Sequence, residues 1–272
     1  MRVEAPARLH LGMLAVAGDG PRRFGGLGVA VVRPAVVVEA QPADELSAEG
    51  AEAERALAFA RRCHEALGLE GSAHVRVVEA IPPHVGLGSG TKLALAVAQA
   101  LAALDDRTVG APELAEAVGR AARSAVGTWT FALGGLVVEG GVRRGEDRPA
   151  PLLARYSMPE EWRVVLVVPK AQPGLSGAAE EEAFRQLVPS AERSAEIAQL
   201  VLTSLLPSLV EALLREGAAG AGQSSWGPAV YGFTESEASG RALADRMAGV
   251  VGDEGSVELV SFDNRGARVV PS

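Results

Sequence analysis

The sequence Ile81–Lys92, IPPHVGLGSGTK, is the part of this chain that decides the fold. The preceding run, Ala73–Ile81, is rich in β-branched residues and is typical of a strand, while Leu93–Leu104 is rich in Ala and Leu and contains no helix breaker. The expected order is therefore strand, glycine-rich loop and helix. Glycine lets the backbone approach a ligand closely, and the first amides of a helix lack intrahelical partners and carry the positive end of its dipole. This combination is typical of a phosphate-binding loop.

The residues expected to contact phosphate lie in the second half of this loop. Glycines supply backbone donors there, two hydroxyls stand at the mouth, and one of the two lysines of the chain follows them. The candidates are Gly86, Leu87, Gly88, Ser89, Gly90, Thr91 and Lys92. The alternative is a tight strand-to-helix connection that binds nothing. Neither GxxxxGK[ST] nor GxGxxG is present, so neither a P-loop nucleoside triphosphatase nor a dinucleotide-binding protein is predicted.

Composition limits the classes of protein that the chain can represent. With 272 residues, 48% of them hydrophobic and 22% charged, the chain is long enough for one large domain or two small ones with a sizeable core. The net charge of −8 argues against a nucleic-acid partner, because a phosphate backbone requires a basic surface. Any positively charged site must therefore be local.

Few residues are suited to metal binding or cross-linking. Cys63 is the single cysteine and there are four histidines, so neither a disulfide framework nor a zinc cluster is expected. The first residues lack a signal pattern, and no apolar run reaches the roughly 18 residues that span a membrane. We therefore expect a cytoplasmic protein with no membrane partner.

Basic side chains occur near the start of the chain. Arg2–Leu11 is typical of a strand, and Ala17–Gly28 reads as a loop in which paired arginines lie among five glycines. Such a loop suits a flexible clamp over an anion, and the alternative is a solvated hairpin. The candidates for phosphate or diphosphate binding are Arg8, His10, Arg22 and Arg23.

The following segments are typical of regular secondary structure. Leu27–Ala40 is β-branched but is interrupted by Pro34, which predicts two short strands or an edge strand. Apolar residues at helical spacing predict helices over Glu54–Leu67 and Glu113–Ala125, and Leu136–Glu139 is typical of a strand.

The helix predicted over Glu113–Ala125 brings further candidates. Arg120 and Arg123 are three residues apart and share a face, and Arg123 and Ser124 are candidate phosphate ligands. Trp129 and Phe131 follow in a segment that leads into the next strand. They belong either to the core or to the wall of a pocket for a flat ligand.

The second half of the chain contains another glycine-rich stretch. Gly140–Glu161 is charged and contains prolines, which predicts a boundary between domains at residues 1–158 and 159–272. Arg163–Pro169 is typical of a buried strand, and Gly217–Gly232, GAAGAGQSSWGPAVYG, places hydrogen-bonding groups beside a tryptophan. This stretch either binds a ligand or is a structural loop. Its candidate ligand-binding residues are Gln223, Ser224, Ser225 and Trp226.

Six segments, in this order along the chain, resemble the β-ribofuranosylaminobenzene 5′-phosphate synthase family of the GHMP kinase superfamily. They are APARLHLG (5–12), RRFGGLGVAV (22–31), IPPHVGLGSGTKLALAVA (81–98), the stretch from GRAARS to LGGLVVEGG (119–141), PKAQPGLSG (169–177) and GAGQSSWGPAVYG (220–232). The GAGQSSWGP motif is specific, whereas the GLGSG loop indicates only the superfamily. The resemblance implies an α+β fold of two domains, with an N-terminal half like domain 2 of ribosomal protein S5 and a ferredoxin-like C-terminal half.

The resemblance also implies a reaction. Phosphoribosyl diphosphate and an aromatic carboxylic acid give a C-riboside 5′-phosphate, carbon dioxide and diphosphate. In the family the acid is a 4-substituted benzoate used to make tetrahydromethanopterin, and relatives in C-nucleoside pathways are expected to use heteroaromatic acids. The resemblance implies Mg²⁺ carried by the diphosphate, a homodimer, and a longer stretch after Pro207 than this chain has. The expected acceptor pocket comprises Trp129, Phe131, Gln223, Ser224, Ser225 and Trp226.

The main alternative is an ATP-dependent small-molecule kinase of the same superfamily. Such kinases generally have Ser at the position of Gly90 and a catalytic Asp just after the turn that here reads Ser124–Gly127. Thr128 and Trp129 occupy that place, so the base for phosphoryl transfer is missing. A third hypothesis is a non-catalytic protein that binds phosphate. The sequence favours the synthase.

Overall fold

The computed structural model describes residues 1–15, 22–120, 122, 124–143, 145–146, 148–170, 205–225 and 227–271. At residues 14, 15 and 205–207 the description covers the backbone alone. Two candidate site residues, Arg123 and Trp226, lie outside the described residues, as do residues 171–177 of the PKAQPGLSG segment.

The larger of two sheets contains the N-terminal strands and the last strand of the chain. Its eight described strands are β1 (Arg2–Ala15), β2 (Arg22–Ala43), β3 (Ser47–Gly50), β4 (Ser72–Glu79), β5 (Leu136–Glu139), β6 (Val142–Arg143), β7 (Leu152–Tyr156) and β12 (Arg268–Val270). The order is β12-β1-β2-β4-β3, with β5 and β6 also paired to β2 and β7 paired to β5. Strands β3 and β4 are parallel, and the other pairs are antiparallel.

Strand β2 is central and continuous, so the prediction of two short strands or an edge strand is wrong. Pro34 lies at an irregularity in the pairing with β1, where Val31 opposes Ala7 and Ala35 already opposes Pro6. The bulge accommodates the proline, which has no N–H for the ladder. The valines on both sides of Pro34 are buried, and this burial favours one long strand.

Six helices are described. They are α1 (Ala53–Leu67), α2 (Ser89–Leu104), α3 (Ala111–Ala117), α4 (Val126–Leu133), α5 (Leu205–Arg215) and α6 (Glu237–Val251). Helix α2 follows the glycine loop as predicted and packs against α1, α3, α4, β1 and β2. Its Ala and Leu side chains are buried nearly all round, as expected for a helix inside a core. None of the described helices has the length and apolar character needed to cross a membrane.

The chain between α3 and β5 differs from the prediction. The helix expected over Glu113–Ala125 ends at Ala117, because Gly119 adopts a left-handed conformation with φ of +67°. A separate helix, α4, then includes Trp129 and Phe131. This break turns the chain, so residues after it do not continue the face of α3.

The smaller sheet belongs to the second half of the chain. Strands β8 (Arg163–Pro169), β9 (Gly220–Gln223), β10 (Val230–Thr234) and β11 (Gly255–Ser261) form an antiparallel sheet in the order β11-β8-β10-β9. Helices α5 and α6 cover it around a separate apolar cluster. After β11 the chain returns to the larger sheet, where β12 pairs with β1. The boundary at residues 158 and 159 stays a prediction.

Candidate active site

The two glycine-rich stretches, which we call the first glycine loop (residues 81–92) and the second glycine loop (residues 217–232), are in direct contact. The Ser224 hydroxyl donates to Gly86 O at 2.8 Å and accepts from the backbone N–H of His10 at 3.0 Å. The Ala229 N–H donates to Val85 O at 3.1 Å. Strand β1 and the two loops are thereby joined where the two halves of the molecule meet.

Two of the glycines are required by this contact. Gly86 has φ of +93°, and a Cβ there would lie 2.1 Å from Ser224 O. A Cβ on Gly227 would lie 2.0 Å from the carbonyl carbon of Val85. Because the opposing atoms are backbone atoms that cannot rotate away, neither position has room for a side chain. These glycines allow one backbone to approach another.

The first turn of α2 presents its amides without a side-chain cap. Gly88, with φ of +83°, precedes the helix, and its carbonyl accepts from the amides of Thr91 and Lys92. The first turn contains no acidic side chain. Unpaired helix amides and the positive end of the helix dipole attract an anion to this position.

Arginine side chains lie close to two of the residues at this turn. The Arg8 guanidinium donates to Gly86 O and lies 3.2 Å from where a Cβ on Gly88 would stand. Nitrogen atoms of Arg55 and Arg120 lie 2.9 and 3.2 Å from the position of a Cβ on Gly90. The three positive charges increase the attraction of the helix end for an anion.

Arg55 is a site residue that sequence reasoning missed. It comes from α1, where it pairs with Glu52, and it reaches the first glycine loop only through the packing of α1 against α2. The available signal was Gly90 itself, which stands where superfamily kinases generally have Ser. A serine side chain at this position would displace the Arg55 guanidinium.

Lys92 does not stand at the mouth of the loop. Its side chain is 0% exposed, its ammonium donates to Thr130 Oγ1 at 3.0 Å, and it lies 5.9 Å from the centre of the Phe131 ring. Burial and the nearby charge of Arg8 lower the pKa of Lys92 well below its usual value. The prediction that Lys92 binds phosphate directly therefore does not fit the structure. The reason is that the fourth residue of α2 points into the core.

Arg22 and Arg23 lie in strand β2 and not in a flexible loop. They pair with β6, and the Arg22 guanidinium donates to Gly141 O at 2.8 Å. Arg23 is exposed and stacks over its neighbour Phe24. Within the described part of the chain neither arginine makes a hydrogen bond to a glycine loop. Because residues 22–28 belong to strand β2, the prediction of a loop is wrong for them.

The expected acceptor residues are only partly brought together. Phe131 is 3% exposed and belongs to the core, which argues against a role as a pocket wall. Trp129 is half-buried and donates from Nε1 to Ala150 O at 2.8 Å. Gln223 donates to Gly227 O at 3.0 Å. Ser225 adopts φ of +59°, and its backbone N–H donates to the carbonyl of His10.

A chain of polar side chains that the sequence did not predict as a unit runs inward from His10. His10 Nε2 lies 3.3 Å from Ser124 Oγ, which donates to Glu139 Oε1 at 3.1 Å. Glu139 Oε2 accepts from the N–H of Gly141 at 2.8 Å. Burial, followed by the charge of Arg8, lowers the pKa of His10 from 6.5 to about 3, and burial raises the pKa of Glu139.

Comparison with known proteins identifies the fold. Residues 53–135 match the GHMP kinases N terminal domain and residues 177–251 match the GHMP kinases C terminal domain. The crystal structure of homoserine kinase from Cytophaga hutchinsonii superposes with a TM-score of 0.70 over 99% of this chain and 97% of that chain, at 17% identity. The chain thus has the α+β fold of the GHMP kinases, as the resemblance implied.

Two curated relatives cover the chain almost completely. Both are named β-ribofuranosylphenol 5′-phosphate synthase. The protein from Archaeoglobus fulgidus is 31% identical over 315 residues, covering 99% of each chain, and the one from Methanothermobacter thermautotrophicus is 29% identical over 325 residues, covering 98% of each. The chain belongs to the β-ribofuranosylphenol 5′-phosphate synthase family within the GHMP kinase superfamily. Both alignments exceed 272 residues, so they include positions that this chain lacks.

Proposed function

We propose that this protein is a decarboxylating C-riboside synthase that joins phosphoribosyl diphosphate to an aromatic carboxylic acid and releases carbon dioxide and diphosphate. The observation that carries the proposal is the uncapped N-terminus of α2, flanked by Arg8, Arg55 and Arg120, in a chain that is 31% identical to a named synthase. The kinase alternative requires a carboxylate just after Ser124–Gly127. This chain has Thr128, which is fully buried, and then Trp129, so no carboxylate stands at that place.

The arginines and the helix end are placed to hold the leaving group. Departure of diphosphate from C1′ of the ribose leaves positive charge on the sugar ring and concentrates negative charge on the departing oxygens. Guanidinium groups and fixed helix amides stabilise that negative charge without reorganising during the reaction. The proposed diphosphate ligands are Arg8 near Gly88 and Arg55 with Arg120 near Gly90.

The acceptor is proposed to be a hydroxybenzoate. The relatives' name specifies a phenol, where the resemblance in the sequence implied an aminobenzene. A ring carbon that bears a carboxylate attacks C1′, and loss of carbon dioxide then restores aromaticity. A heteroaromatic acid of the kind used for C-nucleosides is the other acceptor class to be tested.

Magnesium is proposed to enter with the diphosphate. Among the described residues no cluster of three His, Cys, Asp or Glu side chains could hold a metal ion. The donors around the first glycine loop are guanidiniums and amides, which do not fit a resident Mg²⁺, whereas phosphate oxygens do. A homodimer, which the resemblance implies, and a cytoplasmic location, which the sequence pattern predicts, are further proposals.

The test is to incubate the protein with phosphoribosyl diphosphate, Mg²⁺ and separate aromatic acids while measuring carbon dioxide and diphosphate. We expect equal amounts of both with a hydroxybenzoate. Arg55→Ala should raise the KM for phosphoribosyl diphosphate, while Arg61→Ala, which removes an exposed arginine from the same helix, should not. Transfer of the γ-phosphate of ATP to a small molecule, without carbon dioxide release, would replace the proposal with the kinase.

A further inference from the structure

The side chains of His10, Ser124 and Glu139 form a connected chain although they come from different parts of the sequence. His10 lies on β1, Ser124 precedes α4, and Glu139 ends β5. The contact between His10 and Ser124 joins residues that are 114 positions apart, and the contact between Ser124 and Glu139 joins residues that are 15 positions apart. They lie next to the junction of the two glycine loops, because the backbone of His10 is the group that Ser224 and Ser225 bind.

When Glu139 is ionised, the hydrogen bonds define which atom carries each proton. Ser124 has a single hydroxyl hydrogen, and an ionised Glu139 can only accept, so the Ser124 hydroxyl donates to Glu139 Oε1. The N–H of Val126 also donates to Ser124 Oγ, at 3.3 Å. His10 Nε2 must then carry hydrogen and donate to Ser124 Oγ. This tautomer leaves His10 Nδ1 as a proton acceptor.

The burial of the two end groups favours transfer in one direction. Burial and the charge of Arg8 lower the pKa of His10 to about 3, so the imidazole does not keep a second proton. Glu139 is 0% exposed, and this burial raises its pKa despite the N–H of Gly141 and the Ser124 hydroxyl that it accepts from. A proton that enters at Nδ1 is therefore passed on and is best held at the carboxylate.

We infer that His10, Ser124 and Glu139 form a proton relay that removes the phenolic proton of a hydroxybenzoate acceptor as its ring attacks C1′ of the ribose. This inference rests on the proposed function. It assigns to the site a base, which the kinase-type position at Thr128 and Trp129 does not supply.

The proton and electron balance of the step is complete. The phenolic O–H bond breaks, its proton goes to His10 Nδ1, the Nε2 proton goes to Ser124 Oγ, and the Ser124 proton goes to Glu139. The electron pair left on the phenolate oxygen enters the ring, and the carboxylate-bearing carbon forms a bond to C1′. Diphosphate leaves with the electron pair of the bond between C1′ and its oxygen. The electrons of the bond to carbon dioxide then return to the ring, and the relay reverses to reprotonate the product oxygen.

The experiment compares Glu139→Gln with wild type on two acids, 4-hydroxybenzoate and 3,5-difluoro-4-hydroxybenzoate, at a pH where the second is already a phenolate. With 4-hydroxybenzoate we expect kcat to fall about 100-fold with little change in the KM for phosphoribosyl diphosphate. With the fluorinated acid the ratio of wild-type to variant kcat should shrink toward one. A purely structural role of Glu139 would reduce both rates alike.

Two further variants complete the experiment. Glu139→Asp keeps a carboxylate and should retain more activity than Glu139→Gln. Ser124→Ala breaks the relay at its middle atom and should reproduce the dependence on the acid even if Glu139→Gln fails to fold. An equal loss with both acids, or a loss confined to KM, would overturn the relay. Wild-type protein that forms no product from either acid would overturn the proposed function and the relay with it.

Discussion

The two glycine loops are both rich in glycine but use it for different purposes. In the second glycine loop Gly227 is pressed against the backbone of Val85, and the neighbouring Ser224 is fully buried with its hydroxyl bonded on both sides. In the first glycine loop Gly90 opens onto the ends of two arginine side chains. Glycine in one loop permits contact between backbones, and in the other it leaves space that cationic groups occupy.

The difference shows that a glycine-rich stretch does not by itself indicate a ligand. The second glycine loop holds the first in position, whereas the open helix end and the arginines of the first are the groups suited to an anion. The first loop also contains both uses, because Gly86 packs against Ser224 while Gly90 faces Arg55 and Arg120. Substitutions at these glycines should therefore separate stability from substrate binding.

The largest effect is expected for Gly227→Ala. The added Cβ would lie 2.0 Å from a backbone carbon, so the two loops must move apart. We expect the free energy of unfolding to fall by about 3 kcal/mol, measured by urea denaturation. Gly220→Ala, in the same loop with no atom within 4 Å of its Cβ, is the matched control and should change stability little. Equal stability of the two variants would remove the distinction between the loops.

A smaller effect is expected from His10, to which the second glycine loop is bonded. Its pKa is about 3 in the folded protein against 6.5 when unfolded, so between these values the unfolded state binds more protons and acidification lowers stability. From pH 7 to pH 5 the wild type should lose about 2 kcal/mol more unfolding free energy than His10→Gln. The charged groups that face His10 are Arg8 and, through Ser124, Glu139. Both groups are present in the wild type and in the variant, so the comparison isolates His10. Identical pH dependence in the two proteins would show that the imidazole is not buried in neutral form.

Gly90→Ala should alter binding and leave stability intact. The new Cβ meets the ends of flexible arginine side chains, which can move, so folding costs little while Arg55 and Arg120 are displaced. We expect the KM for phosphoribosyl diphosphate to rise about tenfold, which corresponds to about 1.4 kcal/mol. Gly249→Ala in α6, which has open space around it, controls for the helix preference of alanine. An unchanged KM would argue that the arginines do not hold the diphosphate.

The smallest effect is expected for Lys92→Met. Replacing a fully buried amino group with an apolar side chain of similar volume should raise the free energy of unfolding by about 1 kcal/mol, with the KM for phosphoribosyl diphosphate unchanged. Lys170→Met, at the exposed second lysine, should change neither quantity. A large increase in KM for Lys92→Met would restore the role in phosphate binding that the sequence indicated.

Much of the fold was predictable because its signals are local. The strand before the first glycine loop, helix α2 after it, α1 and β8 follow from residue type and periodicity over short windows. The errors occurred where a long-range effect overrode a local one. Pro34 indicated a break, but pairing of β2 on both sides and the burial of its valines produced one strand. At Lys92 the position in the loop indicated exposure, but the packing of α2 placed the side chain in the core.

The sequence by itself determined that a strand, a glycine loop and a helix form the centre of a GHMP-type fold, because these depend on neighbouring residues and on ordered motifs. Only the tertiary structure decided that Arg55 reaches Gly90, that Ser224 holds Gly86, and that His10 is connected through Ser124 to Glu139. The physical reason is that contacts between distant residues depend on strand register and on how the two halves pack. Neither is encoded in the periodicity of any single segment.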